Sequence, residues 1–232
     1  DDAAAARGSE RLGVFAHELR NLVNTAIVSF DVLRTGNVGV GGSTGRVLHR
    51  SLLSLRSLIG RSLAETRITE GLQNAEQIGL SEFIADVGAA AVLEANAAGI
   101  RLCLVPVDND LAIQADRQVL SAVIGNLLQN AFKFTKPHTA VILRVSAGAT
   151  RVLIEVEDEC GGLRGPNAED LFRPFEQQNA DRSGLGLGLA FSRSAVEANH
   201  GRIYARTLPE RGCVFTVDLP RLIIPAVASI AE

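Results

Sequence analysis

The sequence predicts an α+β protein in two parts: an N-terminal helical hairpin over residues 1–72, then a two-layer α/β sandwich over residues 73–232. Three observations predict it. Apolar residues recur at spacings of three and four from Arg11 to Arg34 and again from Leu48 to Leu63, the period of a helix seam. Short alternating stretches with β-branched residues begin near Glu76 and recur to the end of the chain, interleaved with helical patterns. At 232 residues and 47% hydrophobic content, the chain is long enough for a hairpin plus one core-bearing domain of about 150 residues.

In the first helix the seam is Leu12, Phe15, Leu19, Leu22, Ala26, Phe30 and Leu33. His17 lies about 200° around the helix from both Phe15 and Leu19, so it is expected to point to solvent, with Asn21 on its face. The loop Gly36 to Gly45 leads to a second helix with Leu48, Leu52, Leu55, Ile59 and Leu63 in line. One hairpin cannot cover both apolar stripes, whereas two related by a twofold axis make a four-helix bundle, so a homodimer is expected. The seam fades between Arg67 and Asn74, which sets the boundary near residue 73. Beyond it the pattern gives a strand over 76–80, a helix over 81–98, and strands near 100–105 and 111–115. A helix carrying Asn126 follows, then strands near 139–147 and 151–158, a glycine-started helix, and strands near 202–206 and 213–219.

Three segments of this second part carry chemistry. Asn126, Asn130 and Lys133 fall at i, i+4 and i+7 on one helix face, while Leu120, Ile124, Leu127 and Ala131 form a separate apolar stripe. Two amide oxygens suit a phosphate-bound magnesium, and the ammonium suits the remaining phosphate charge. In the strand over 151–158, Val152, Ile154 and Val156 alternate with Leu153, Glu155 and Glu157, which carries Asp158 to the apolar side. A buried carboxylate needs a donor, and the exocyclic amino group of adenine is a fitting one. Gly184, Gly186 and Gly188 alternate with Leu185 and Leu187 and run into a helix start, where phosphates can approach open backbone N–H groups. Each has an ordinary reading alone: a solvated helix face, a turn-capping Asp before Gly161 and Gly162, a flexible glycine run. Their order and spacing favour one nucleotide site. About twenty residues between Gly162 and Gly184 have little periodicity and are expected to form a lid, pinned by Phe172 and Phe175 and mobile over Gln177–Ser183.

Read together, Asn126-x-x-x-Asn130-Ala-x-Lys133-Phe134, Asp158-x-x-x-Gly162, Leu171-Phe-x-Pro-Phe175 and Gly184-Leu-Gly-Leu-Gly-Leu189 resemble the N, G1, F and G2 boxes of sensor histidine kinases, members of the GHKL (Bergerat) ATPase superfamily. His17-Glu-Leu-Arg-Asn21 resembles their H box, so the resemblance covers almost the whole chain. It implies an ATP- and Mg2+-dependent protein histidine kinase of a bacterial two-component system. His17 would be the phosphoacceptor, Glu18 the acidic residue that acts as general base or orients the ring, and Asn21 the residue that orients water for dephosphorylating a partner. Nucleotide contacts would come from Asn126, Asn130, Lys133, Phe134, Asp158, Gly162, Gly184, Leu185, Gly186, Leu187 and Gly188, with Asn126 and Asn130 on the metal. The implied partners are a second copy of the chain, through the hairpin, and the receiver domain of a response regulator. Three positions depart from the family pattern: Cys160 replaces a usual Gly, Leu22 replaces a frequent Pro, and His200 stands where a Gly tends to precede Gly201. Those departures leave room for a non-catalytic ATP-binding scaffold, and the ATPase boxes alone would also suit a GHKL serine kinase. His49, His138 and His200 read as surface or turn residues.

A net charge of −3 without a basic run argues against nucleic acid as partner. Cys103, Cys160 and Cys213 are odd in number and too scattered for a disulfide framework or a zinc site, and they point to a reducing, cytoplasmic compartment. No apolar stretch approaches the ~20 residues of a membrane span. With no methionine at residue 1, the sequence reads as a piece of a longer protein with an upstream sensing region, for which a membrane tether stays open.

Overall fold

A computed structural model describes residues 19, 21–33, 42–71, 73–163, 168–174 and 186–222. The chain divides by its internal contacts into two compact units, between Ser62 and Leu63. The first holds helix α1 (residues 21–33) and most of α2 (Ser43–Thr69). Helix α2 starts earlier than the glycine-rich loop suggests, since Ser43, Thr44 and Gly45 already belong to its first turn.

Within one copy of the chain the hairpin covers part of the expected seam. On α1 the buried line is Ala26 and Ser29, flanked by half-buried Leu22 and Leu33, and Phe30 is 56% exposed. On α2 it is Gly45, Ser51 and Leu58, while Leu52, Ile59 and Leu63 are exposed. Small residues and Leu58 thus occupy the buried lines, and Phe30, Leu52, Ile59 and Leu63 of the expected seam face outward. Apolar periodicity alone reports that a helix has an apolar sector, not which edge of it faces inward.

In the second unit β1 (Glu76–Gly79) pairs antiparallel with β3 (Ala112–Ala115) as a small two-stranded sheet. The main sheet contains β2 (Arg101–Leu104), β4 (Ala140–Ala147), β5 (Arg151–Asp158), β6 (Arg202–Leu208) and β7 (Gly212–Pro220), in the order β2-β4-β5-β7-β6. Only the β2–β4 pair is parallel. Helices α3 (Leu80–Ala97), α4 (Arg117–Phe134) and α5 (Gly188–Glu197) form the second layer. One cluster of buried side chains joins the layers, including Phe83, Ile124, Leu127 and Leu128 from the helices and Leu143, Ile154 and Val217 from the strands. Ala64, from the last turns of α2, belongs to this cluster too, with Ile68 packed against it.

Glu157 departs from the alternation read along β5. It is buried despite lying opposite Val156, because Arg144 Nη1 at 3.0 Å and Arg211 Nη2 at 3.4 Å pair with its carboxylate. Arg144 Nε also bonds Glu155 at 2.8 Å, and this pairing raises the Arg144 pKa above its ordinary value. A charged pair network thus covers what a simple alternation reads as a solvated face.

The start of α4 is fixed by one carboxylate. Asp116, 3% exposed on its side chain, caps the helix: Oδ1 accepts from Gln118 N at 2.9 Å and Val119 N at 3.1 Å. Oδ2 accepts from Asn74 N at 3.0 Å and from Arg67 Nη1 at 3.4 Å. Burial by itself would raise the Asp116 pKa, but the three backbone donors and the Arg67 charge outweigh it and hold the carboxyl below the usual range. A carboxylate whose pKa is lowered by folding contributes stability above its unfolded pKa of about 3.9 and loses it as pH falls through the folded value. Asp116→Ala removes the cap and strands buried N–H groups, so urea denaturation at pH 7 is expected to show a loss of about 2 to 4 kcal/mol. The gap between wild type and variant should narrow below about pH 4.

Candidate functional site

Helix α4 carries the expected polar face. Asn126 is 4% exposed, and its Nδ2 donates to Ser192 Oγ on α5 at 3.0 Å. Ser192 gives its own hydroxyl proton to the Gly188 carbonyl at 3.1 Å, so its oxygen can only accept from Asn126. That chain of two bonds fixes the amide with its nitrogen toward α5 and couples the Asn126 face to the first turn of the glycine-started helix. One turn on, Asn130 is half-buried and makes no side-chain hydrogen bond among the described residues. Lys133 is exposed with its Nζ 4.9 Å from the centre of the Phe134 ring.

The end of β5 is tied to the end of α4. Glu159 N donates to Thr135 Oγ1 at 2.9 Å, and Thr135 is the C-cap residue of α4. Asp158 is 3% exposed, and its Oδ1 accepts from Cys160 N at 2.9 Å. Burial raises its pKa, partly offset by hydrogen bonds from Cys160 and from the Cys213 backbone. A carboxylate so enclosed is a strong acceptor for any further N–H presented to it.

The chain then turns through Gly161 (φ 89°) and Gly162 (φ 108°), conformations that side-chain-bearing residues rarely adopt. Facing this turn, β7 begins so close to β5 that a Cβ on Gly212 would stand 1.8 Å from the Asp158 carbonyl oxygen. Gly186 has φ 67°, and Leu187 at the N-cap of α5 provides no side-chain bond to the helix's first N–H groups. Those donors and the positive end of the helix dipole make a natural cradle for phosphate oxygens. Between the two glycine segments a 3₁₀ helix, Ala168–Phe172, breaks the stretch expected to be a featureless lid. Phe172 is buried there, packing edge to face on Phe215 at 6.4 Å with Arg193 stacked on its ring at 4.7 Å. Phe172 therefore pins this segment to the sheet, as its sequence context suggests.

His17, Glu18, Gly184, Leu185, Phe175 and the Gln177–Ser183 stretch lie outside the described residues. Asn21 lies exposed on α1, and its carbonyl accepts from Thr25 Oγ1 at 2.8 Å. The structure thus joins Asn126 to the Gly188 turn, and Asp158 to the end of the helix that carries Asn130, Lys133 and Phe134. Four residues with structural parts in this arrangement, Ser192, Thr135, Gly212 and Cys213, are not marked by the sequence. Each acts through a contact to a residue far along the chain, which spacing does not reveal.

Residues 115–223 match the family described as histidine kinase-, DNA gyrase B- and HSP90-like ATPase. This segment is similar to the ATPase domains of that family. The chain is 28% identical over 98% of its length to the histidine protein kinase DivJ of Caulobacter vibrioides, spanning 40% of that protein. It is 36% identical over 49% of its length to the sensor protein TorS of Escherichia coli, spanning 12% of TorS. Among solved structures, the histidine kinase ThkA in complex with the response regulator protein TrrA superposes with a TM-score of 0.60 at 23% identity. That match covers 95% of this chain and 64% of ThkA, and shows the likeness of fold. The ATPase fold, with a helical region before it, is therefore that of the sensor histidine kinases the chain resembles. Among the described residues, no helix is long and apolar enough to cross a membrane.

Gly212→Ala forces its methyl into the Asp158 backbone, where neither strand can yield without breaking the β5–β7 ladder. The variant is expected to lose more than about 3 kcal/mol in chemical denaturation, or to fail to fold. Ala at Gly125, where an added Cβ meets nothing within 4 Å, should stay within about 1 kcal/mol of wild type in the same measurement.

Proposed function

We propose that the chain is the core of a two-component sensor kinase: an ATP-dependent protein histidine kinase that phosphorylates its own His17 and passes the phosphoryl group to an aspartate of a response regulator. The observation that carries this reading is the Asn126–Ser192–Gly188 relay, which holds the amide face of α4 against the uncapped start of α5. A metal–phosphate group needs both surfaces at once, hard oxygen ligands on one side and backbone donors on the other.

The residues fit Mg·ATP on these grounds. Asn126 and Asn130 supply amide oxygens for the metal, Lys133 charge for the phosphates, and Gly184 to Gly188, with Leu185 and Leu187 between them, backbone donors. Asp158 accepts from the adenine amino group, beside Gly162 and Phe134. Magnesium, when bound, neutralises charge on the phosphate oxygens as the leaving group departs. His17 acts as nucleophile: a ring nitrogen bonds to the terminal phosphorus, the bond from that phosphorus to the β–γ bridging oxygen breaks, and ADP leaves. Glu18 takes the ring proton or orients the ring, and Asn21 orients water for the reverse task of dephosphorylating the regulator. Most of the rate comes from positioning and charge neutralisation.

The outward apolar stripe of Phe30, Leu52 and Ile59 supports a homodimer through the hairpin, in which a second copy covers it. The hairpin reading assigns residues 1–72 to dimerisation and phosphotransfer and 73–232 to the ATPase domain, with the reaction in the cytoplasm. The response regulator comes to this proposal from the ThkA–TrrA complex and from the H-box resemblance.

Incubation with γ-labelled ATP and magnesium is expected to leave acid-labile label on the chain, absent in His17→Gln. Acid-stable label on a partner instead of the chain, or nucleotide binding with no label anywhere, would overturn the phosphotransfer assignment. Asn130→Ala should lower the labelling rate by at least about 100-fold while sedimentation shows an unchanged dimer. Near-normal labelling in that variant would place the metal elsewhere.

A further inference from the structure

The departure at Cys160 has a structural counterpart. Contrary to the expectation from their spacing in sequence, Cys160 and Cys213 meet in the fold, and ligand atoms of Asp158, Cys160 and Cys213 all lie within 4.8 Å of one another. The β5–β7 register sets Asp158 opposite Cys213, and the glycine turn folds Cys160 back over Asp158, held by its N–H to Oδ1 and by Gly161 N to the Arg211 carbonyl at 3.2 Å. Asp158 and Cys213 are buried, at 3% and 1% exposure, whereas Cys160 is half-buried and gives the cluster its opening to solvent.

The three groups are chemically complementary to a cation. The Cys213 thiol donates to the Cys160 sulfur, which lowers the Cys160 pKa; the same bond, with burial, pushes the Cys213 thiol up. Burial likewise makes the Asp158 carboxyl harder to ionise. Negative charge in this corner is therefore costly until a positive one enters. Two sulfurs and one carboxylate oxygen match zinc, whose ligand distances of about 2.0 to 2.3 Å require them to sit roughly 3.3 to 3.8 Å apart, a contraction of at most about 1.5 Å. Thiolates disfavour magnesium, so the site would discriminate against the metal that accompanies nucleotide. A disulfide would engage only the two sulfurs and needs an added oxidant, whereas a cation engages all three groups.

We propose that Asp158, Cys160 and Cys213 form a site for a thiophilic divalent cation of the zinc class, and that its occupation withdraws the Asp158 carboxylate from adenine and closes the nucleotide site. The second clause rests on the nucleotide reading above. Each thiol that ligates releases its proton to solvent, the carboxylate binds ionised, and a fourth position stays open to water through the Cys160 side.

The test uses the full chain, freed of metal and kept reduced with a phosphine so that no disulfide forms. Cobalt(II) titration is expected to produce a sulfur-to-cobalt charge-transfer band saturating at one equivalent and abolished by zinc. Cys160→Gly, which restores the residue usual in the G1 box, should lose the band and weaken zinc binding by at least about 100-fold, with unchanged circular dichroism. Adenosine, which has no phosphates to chelate the metal, should bind the wild type at least about tenfold more weakly with stoichiometric zinc, and Cys160→Gly equally well with and without it. Absence of the band, or a band that survives in Cys160→Gly, overturns the site. Zinc binding that leaves adenosine affinity unchanged overturns the competition. ADP and adenosine binding measured without zinc decide the nucleotide reading on their own, since a chain that binds neither while developing the band loses that reading and keeps the metal site.

Discussion

The close passage of β7 beside the end of β5 is the constraint on which the rest of the site depends. Only a residue without a Cβ lets the strand start at Gly212 lie against the Asp158 backbone, and that contact brings Cys213 opposite Asp158. Because β5 sits at the centre of the five-stranded order, its end is covered by the neighbouring strand on one side and by the α4 terminus through Thr135 on the other. A carboxylate delivered there is enclosed by backbone and by the Cys160 and Cys213 side chains.

Helix α4 connects that corner to the glycine-started helix. Its N-terminus is held by the four donors converging on Asp116, including Arg67 from the last turns of α2 and Asn74 from the connection after them. Its apolar stripe, with Ile124, Leu127 and Leu128 almost fully buried, fixes its rotation. With both position and rotation set, the Asn126 amide has one orientation available, and Ser192 completes it. The polar groups proposed to meet a ligand are thus positioned by parts of the molecule outside the proposed site.

Departures from the family pattern sit where the structure makes them consequential. Cys160 places a thiol between the Asp158 carboxyl and Cys213, where a Gly would leave space. His200 takes φ 56°, the left-handed conformation in which a Gly costs nothing, as α5 ends with Gly201 N bonded to the Val196 carbonyl. The cost of order 1 kcal/mol at such a position is borne at the C-terminal end of α5, the opposite end from the proposed phosphate contacts. Gly186 keeps its φ of 67° at the proposed phosphate cradle.

Much of this protein was legible along the chain. The helices and strands follow from local periodicity, so the described elements of the second unit fall within a few residues of the sequence reading. The three polar segments could be found because each is contiguous and chemically unusual for its setting. Tertiary structure alone decided the rest. Periodicity could not choose between Ser29 and Phe30 as the buried residue of α1, because both lie on one apolar sector and only the neighbouring helix selects an edge. Alternation put Glu157 on the side away from the apolar residues, whereas Arg144 on β4 and Arg211 in the turn before β7 make its burial tolerable. The partnership of Asn126 with Ser192 spans 66 residues, and the meeting of Asp158 with Cys213 depends on strand register. A sequence specifies local conformation through bonded neighbours and short-range sterics, but contacts between distant residues exist only after the layers have packed.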